Sequence, residues 1–178
     1  LGFNNILQSY IRLLVPEGSL SAYRSADIWK DFTNIIESEG VIEFECDGIC
    51  YSVIIGNDSA TVTRRIDKES IDVTSTYSDS IVIPETVWYD NKEYVVNAIG
   101  EYAFYDCRLS YLSIPATVKK IGYNGLSAFF NGNVTCYATI PPEWLDCTRF
   151  GCNYNTILRI PEESIELYRN AMFWENFW

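Results

Sequence analysis

Apolar residues recur along this chain in short runs separated by turn signals. Val41 to Cys46 alternates apolar and polar positions, Asp47-Gly48 is a two-residue turn signal, and Ile49 to Ile55 returns, which predicts a β-hairpin. Gly56-Asn57-Asp58-Ser59 turns again into a strand over Ala60 to Ile66. Asp67 to Ser80 is polar and turn-rich and predicts an ordered but mobile connection. Trp88-Tyr89 and Tyr94-Val95-Val96 flank Asp90-Asn91-Lys92-Glu93, which predicts a second hairpin with these four residues at its tip. Leu20, Tyr23 and Ala26, like Ile165, Tyr168 and Ala171, are spaced i, i+3, i+6 and predict short helices. No apolar run reaches the roughly 18–20 residues of a membrane-spanning helix.

Two repeats organise these elements. Leu13 to Phe32 recurs without a gap 145 residues later as Leu158 to Phe177, with Leu, Pro, Glu, Ser, Tyr, Arg, Ala, Trp and Phe coincident. In each copy an apolar strand ends at a proline, which cannot donate to a further ladder bond. The proline and the glutamate after it suit a helical first turn, which also accounts for Glu162-Glu163. Trp29 and Phe32, or Trp174 and Phe177, follow three apart and are read as core packing.

The second repeat lies between these copies. Ile81-Val82-Ile83-Pro84 matches Leu112-Ser113-Ile114-Pro115, and Ala98-Ile99-Gly100 matches Lys120-Ile121-Gly122. The interval between the prolines is 31 residues and that between the glycines 22, so the difference of nine is an insertion, filled by Trp88 to Val96. A unit of about 22 residues falls in the leucine-rich-repeat range. Its apolar positions, with Cys107 three after Phe104, point inward, and its glycines suit corners with positive φ. One coil cannot bury its apolar side alone, so stacked neighbours must form the core.

The motifs Ile-Pro-x-Thr-Val, Ala-Ile-Gly-x-x-Ala-Phe-x-x-Cys and Pro-x-x-Ser-x-x-x-Tyr-Arg resemble those of BspA-type leucine-rich-repeat proteins. Val134 to Pro142 is similar to the last coil of that family, and Phe44 to Tyr51 to its opening hairpin. The resemblance implies an α+β fold: a short leucine-rich-repeat solenoid with an opening β-hairpin, an insertion hairpin and short closing helices. Residues 1–38 then read as the closing coil and helix of an upstream module, 39–80 as the hairpin opening, and 81–178 as the solenoid with its closing helix. Asn124-Gly125-Leu126 stands where Ala-Phe recurs and predicts an irregular coil. The strand Ile11 to Val15 is expected to dock against residues 39–178 or against a second chain, making a dimer through residues 1–38.

Composition narrows the chemistry. The 178 residues carry 13 Lys and Arg against 24 Asp and Glu, a net charge of −11, and no histidine. The acidic balance argues against nucleic-acid binding, which needs basic patches to displace counterions. Arg64-Arg65 and Lys68 read as a solvated edge. Without histidine, Ser-His-Asp and Cys-His nucleophiles and His-containing zinc sites are excluded. No phosphate loop or EF-hand loop occurs, no motif places a carboxylate pair, and no cofactor or metal is expected. The chain is therefore read as a non-enzyme. Six cysteines form no C-x-x-C pair and are read first as unpaired core residues, the alternative being local disulfides Cys46–Cys50 and Cys147–Cys152 in an oxidising compartment.

The candidate contact residues are Trp88, Tyr89 and Tyr94 of the insertion hairpin. Adjacent strand residues face opposite ways, so of Trp88 and Tyr89 one packs and the other is exposed. Two function classes follow. As the resemblance implies, one is a bacterial cell-surface or secreted module that adheres to host matrix or other surface proteins. The other is a glycan-binding accessory module whose exposed aromatics act as stacking platforms. The chain starts at Leu1 and carries no export signal, so an upstream signal is expected to have been removed.

Overall fold

The computed structural model describes residues 12–16, 18–32, 34–37, 40–65, 76–145 and 156–178. The described residues are mostly β-sheet with a few short helices. They form two compact units, Leu1–Ile42 with Val53–Asn57, and Glu43–Ser52 with Asp58–Trp178.

In the first unit, β1 (Arg12–Val15) leads through the helix Leu20–Ser25 to β2 (Asn34–Glu37). The two strands are parallel, with Leu13 opposite Ile35 and Val15 opposite Glu37. Val15, Phe32 and Ile35 are buried, with Leu13, Leu20, Tyr23 and Trp29 packed around them. β1 covers most of the strand expected to dock against residues 39–178 or a second chain. Its ladder partner comes from its own segment, because the 18 residues between Val15 and Asn34 hold a crossover helix long enough to return a parallel strand.

The second unit is larger, and the hairpin that opens it has Val41, Ile42, Val53 and Ile54 in the first. β3 (Val41–Cys46) and β4 (Ile49–Ile54) meet at Asp47-Gly48, where φ is 49° and 79°. That double positive φ is the hairpin turn the sequence predicts. β5 (Ser59–Val62) ends four residues short of the expected strand end, and Ile66 lies outside the described residues. Most of the polar connection predicted over Asp67 to Ser80 also lies outside them, but its last three residues belong to a strand, β6 (Ser78–Val82). β7 (Thr86–Tyr89) and β8 (Lys92–Ile99) form the insertion hairpin. Its tip is Asp90-Asn91 alone, with φ of 48° and 60°, so Lys92 and Glu93 join the strand.

From there the chain visits two sheets in turn. β9 (Arg108–Ile114), β11 (Phe129–Cys136) and β13 (Ile157–Arg159) join β6 in an all-parallel sheet ordered β13-β11-β9-β6. β10 (Lys120–Ile121) and β12 (Glu143–Trp144) join β8 and β5 in parallel within the other sheet. The ladders reproduce the repeat register. Ile81 lies opposite Leu112, Leu112 opposite Val134, and Val134 opposite Leu158. In the other sheet Val62, Ile99, Ile121 and Trp144 form one buried column. Such columns come from a repeat whose inward positions are always apolar, at about 1.5–3 kcal/mol for each large side chain removed from water.

Gly100 and Gly122 have ordinary negative-side backbone, which corrects the expectation of positive-φ corners. They are glycine because the coils approach closely: a Cβ on Gly100 would lie 2.9 Å from the Val62 carbonyl oxygen, and one on Gly122 2.7 Å from the Glu101 nitrogen. The left-handed corner falls two residues later, at Tyr102 (φ 55°) and at Asn124 (φ 51°). Asn124-Gly125-Leu126 takes the place of Tyr102-Ala103-Phe104 in the repeat. Leu126 occupies the buried place of Phe104, and amides of Tyr102, Phe104 and Asp106 donate to carbonyls of Tyr123, Gly125 and Ser127.

The chain ends in a 3₁₀ turn Glu162–Ser164, the helix Ile165–Arg169 and a second 3₁₀ turn Trp174–Phe177. Tyr168 and Trp174 are fully buried. The Tyr168 hydroxyl donates to the Ala138 carbonyl at 2.8 Å and lies 3.1 Å from the Cys136 sulfur. Trp174 Nε1 donates to the Pro142 carbonyl at 3.0 Å. The repeated Tyr and Trp are thus core residues of the closing unit.

Candidate binding surface

The insertion hairpin separates its three candidate aromatics. Val87 pairs with Tyr94, Trp88 with Glu93 and Tyr89 with Lys92. Alternation therefore puts Val87, Tyr89, Lys92 and Tyr94 on one face, and Trp88, Glu93 and Val95 on the other. Tyr94 is buried, which removes it from any contact surface. Tyr89 is half-buried and stacks on Phe44 at 4.5 Å between ring centroids. Lys92 ties this face down, 2.7 Å from Asp58 and 4.8 Å from the Tyr94 ring centroid. Trp88 stays 61% exposed and shares its face with exposed Val95.

A second surface lies on the outer side of the β13-β11-β9-β6 sheet. Tyr111, Asn133 and Ile157 stand in one outward column, and Thr135 and Arg159 in the next beside buried Ser113. Where the repeat carries Pro84, Pro115 and Pro161, the third coil carries Tyr137, which is 56% exposed. Tyr111, Thr135, Tyr137, Arg159 and Pro161 line an open groove of about 560 Å³. Arg159 is exposed, and among the described residues it makes no ion pair. The groove thus offers two phenol rings, a hydroxyl and one exposed guanidinium. Reading only the inward, repeating positions misses these residues. Reading the outward position of each repeat strand would have found Tyr111 and Arg159.

Cys46 and Cys50 are free thiols. Phe44 stacks on Tyr51 across the hairpin at 5.6 Å, which sets Cys46 opposite Ile49 and Glu45 opposite Cys50. Cys46 and Cys50 therefore face opposite sides of the ribbon, and the bridge allowed by their spacing does not form. Burial raises the Cys50 thiol above its ordinary pKa. Cys107 and Cys136 are buried, and burial also raises the Cys136 thiol. The candidate pair Cys147 and Cys152 lies outside the described residues.

Arg64 and Arg65 are exposed, Arg65 lies 3.5 Å from Glu45, and Lys68 is outside the described residues. Among the described residues no cluster of His, Cys, Asp or Glu could hold a metal ion, and no helix is long and apolar enough to cross a membrane.

Comparison with known proteins gives a sparse result. No protein-family model matches the chain. No curated protein matches it. Among solved structures, it is similar to a leucine rich cell surface protein from Faecalibacterium prausnitzii A2-165, at 16% identity and a TM-score of 0.38, over 68% of this chain and 43% of that one. The chain thus spans under half the length of that protein.

Proposed function

We propose that this chain is a leucine-rich-repeat solenoid module of a bacterial cell-surface or secreted protein, that it binds and does not catalyse, and that it adheres to other surface or host matrix proteins. Parallel ladders in repeat register and the BspA-type motifs support the solenoid reading. The observation that carries the binding role is the open groove of Tyr111, Tyr137 and Arg159. Tyrosine and arginine supply much of the binding energy in protein interfaces, because both bury large flat surfaces while keeping a polar end satisfied.

The test is binding of the full chain to immobilised fibronectin and fibrinogen, with and without competing sugars. Saturable binding that ignores sugars and weakens at least tenfold in a Tyr137→Ala, Arg159→Ser double variant is the expected result. Full binding by that variant, or no binding by the parent chain, overturns the assignment. Exposed Trp88 favours a second reading, a glycan-binding accessory module, since an indole face stacks on a sugar ring. A glycan array on which sugar binding is abolished by Trp88→Ala supports that reading instead.

A further inference from the structure

The two copies of the Pro-to-Phe unit fold alike. The Ser19 amide donates to the Pro16 carbonyl as Ser164 does to Pro161, Ala26 to Tyr23 as Ala171 does to Tyr168, and Lys30 to Ala26 as Glu175 does to Ala171. Tyr23 and Trp29 lie 6.0 Å apart between ring centroids, and Tyr168 and Trp174 lie 5.1 Å apart. The next rings follow in turn, Trp29 to Phe32 at 5.7 Å and Trp174 to Phe177 at 6.0 Å. The copies differ in what lies beyond them. After Phe32 the chain forms β2, which lies parallel to β1, and Glu37 of β2 accepts from the Leu20 amide at 3.1 Å. Among the described residues, β13, the counterpart of β1, pairs with β11 alone, so one of its edges is open.

From this internal comparison we infer that the unit is a coupler between modules: the open edge of β13 accepts a parallel strand of the Asn34–Glu37 type, supplied by a further module joined after Trp178. The open edge is the correct one for this. Parallel crossovers are right-handed in about 98% of cases. The crossover from β1 to β2 packs its helix on the Leu13 and Val15 face. The crossover from β11 to β13 runs through β12, on the face of buried Val134 and Cys136, which is the Leu158 face of β13. With the same hand and the same face, both crossovers advance the sheet in the same direction. A strand added after Trp178 therefore falls on the edge that β11 leaves open. The strand's chemistry is given by β2: an apolar pair, Ile35-Ile36, between a polar first residue and an acidic last one.

The inference rests on the repeat geometry and is independent of whether the groove binds a ligand. It is tested by lengthening the full chain at Trp178 with a second copy of residues 34–178 and following amide hydrogen exchange over Ile157–Ile160 of the first copy. Exchange there slows at least tenfold in the tandem chain, and returns to the single-chain rate when Ile35→Pro and Ile36→Pro are placed in the appended copy only. A tandem chain whose two copies keep native circular dichroism while those amides exchange at the single-chain rate overturns the proposal. So does slowing that survives the two prolines.

Discussion

At the scale of single residues, buried tyrosines hold the larger unit. Tyr77 accepts from the Cys50 amide at 2.7 Å and donates to the Thr63 carbonyl at 3.0 Å, so its hydroxyl is satisfied twice. Tyr168 ties the closing helix to the last coil through Ala138. Tyr168→Phe keeps the ring and strands that buried carbonyl. A loss of about 1–2 kcal/mol is expected in urea unfolding at constant m-value. Burial raises the phenol pKa of Tyr51, Tyr77 and Tyr168. A raised phenol pKa stabilises the folded state fully below the unfolded value of about 10, and that stability is lost as pH rises from there through the folded value. The protein is therefore expected to hold constant tyrosine-linked stability up to about pH 10 and to lose up to about 1.4 kcal/mol per pH unit for each buried phenol above it. Tyrosinate absorbance that rises together with loss of circular dichroism is the check. Ionisation of these phenols in a still-folded chain at pH 11 contradicts it.

At the scale of elements, spacing between coils decides more than local preference. Gly122 sits where Glu101 passes within 2.7 Å of a would-be Cβ, and backbone cannot swing aside as a side-chain end can. Gly122→Ala is expected to cost about 1–3 kcal/mol, the usual range for overpacking. Equal stability of this variant and the parent in thermal melts would show that the coils can separate. Close approach between coils has no local signature, which is why these glycines read from sequence as positive-φ corners. The left-handed positions fall instead on Tyr102, where sequence pattern gives no warning, and on Asn124, whose residue type tolerates positive φ. Hairpin turns were legible because Asp47-Gly48 and Asp90-Asn91 carry their φ preference locally. The same hairpin logic fixed which of Trp88 and Tyr89 could be exposed only as a pair. Phe44, 45 positions away from Tyr89 in sequence, made the choice by stacking on it.

At the scale of the molecule, the two units are unequal. The smaller closes on Val15, Phe32 and Ile35, with a two-stranded sheet. The larger carries one buried column over β5, β8, β10 and β12 and another over β6, β9 and β11. Opening free energy follows buried apolar contact. Amides of Asn34–Glu37 are thus expected to exchange at least tenfold faster than those of Leu109–Ile114 in native-state hydrogen exchange. Equal protection in both strands would mean that the chain opens as one cooperative block. Much of this scale was legible in the sequence: period, insertion, register and inward residues all follow from apolar positions that repeat, because burial is a per-residue demand imposed again by each coil. Tertiary structure alone decided the rest. It paired β1 with β2, buried Tyr94, and gathered Tyr111, Tyr137 and Arg159 into one groove. Those outcomes depend on which strands become neighbours and on side chains that do not repeat, so no local pattern encodes them.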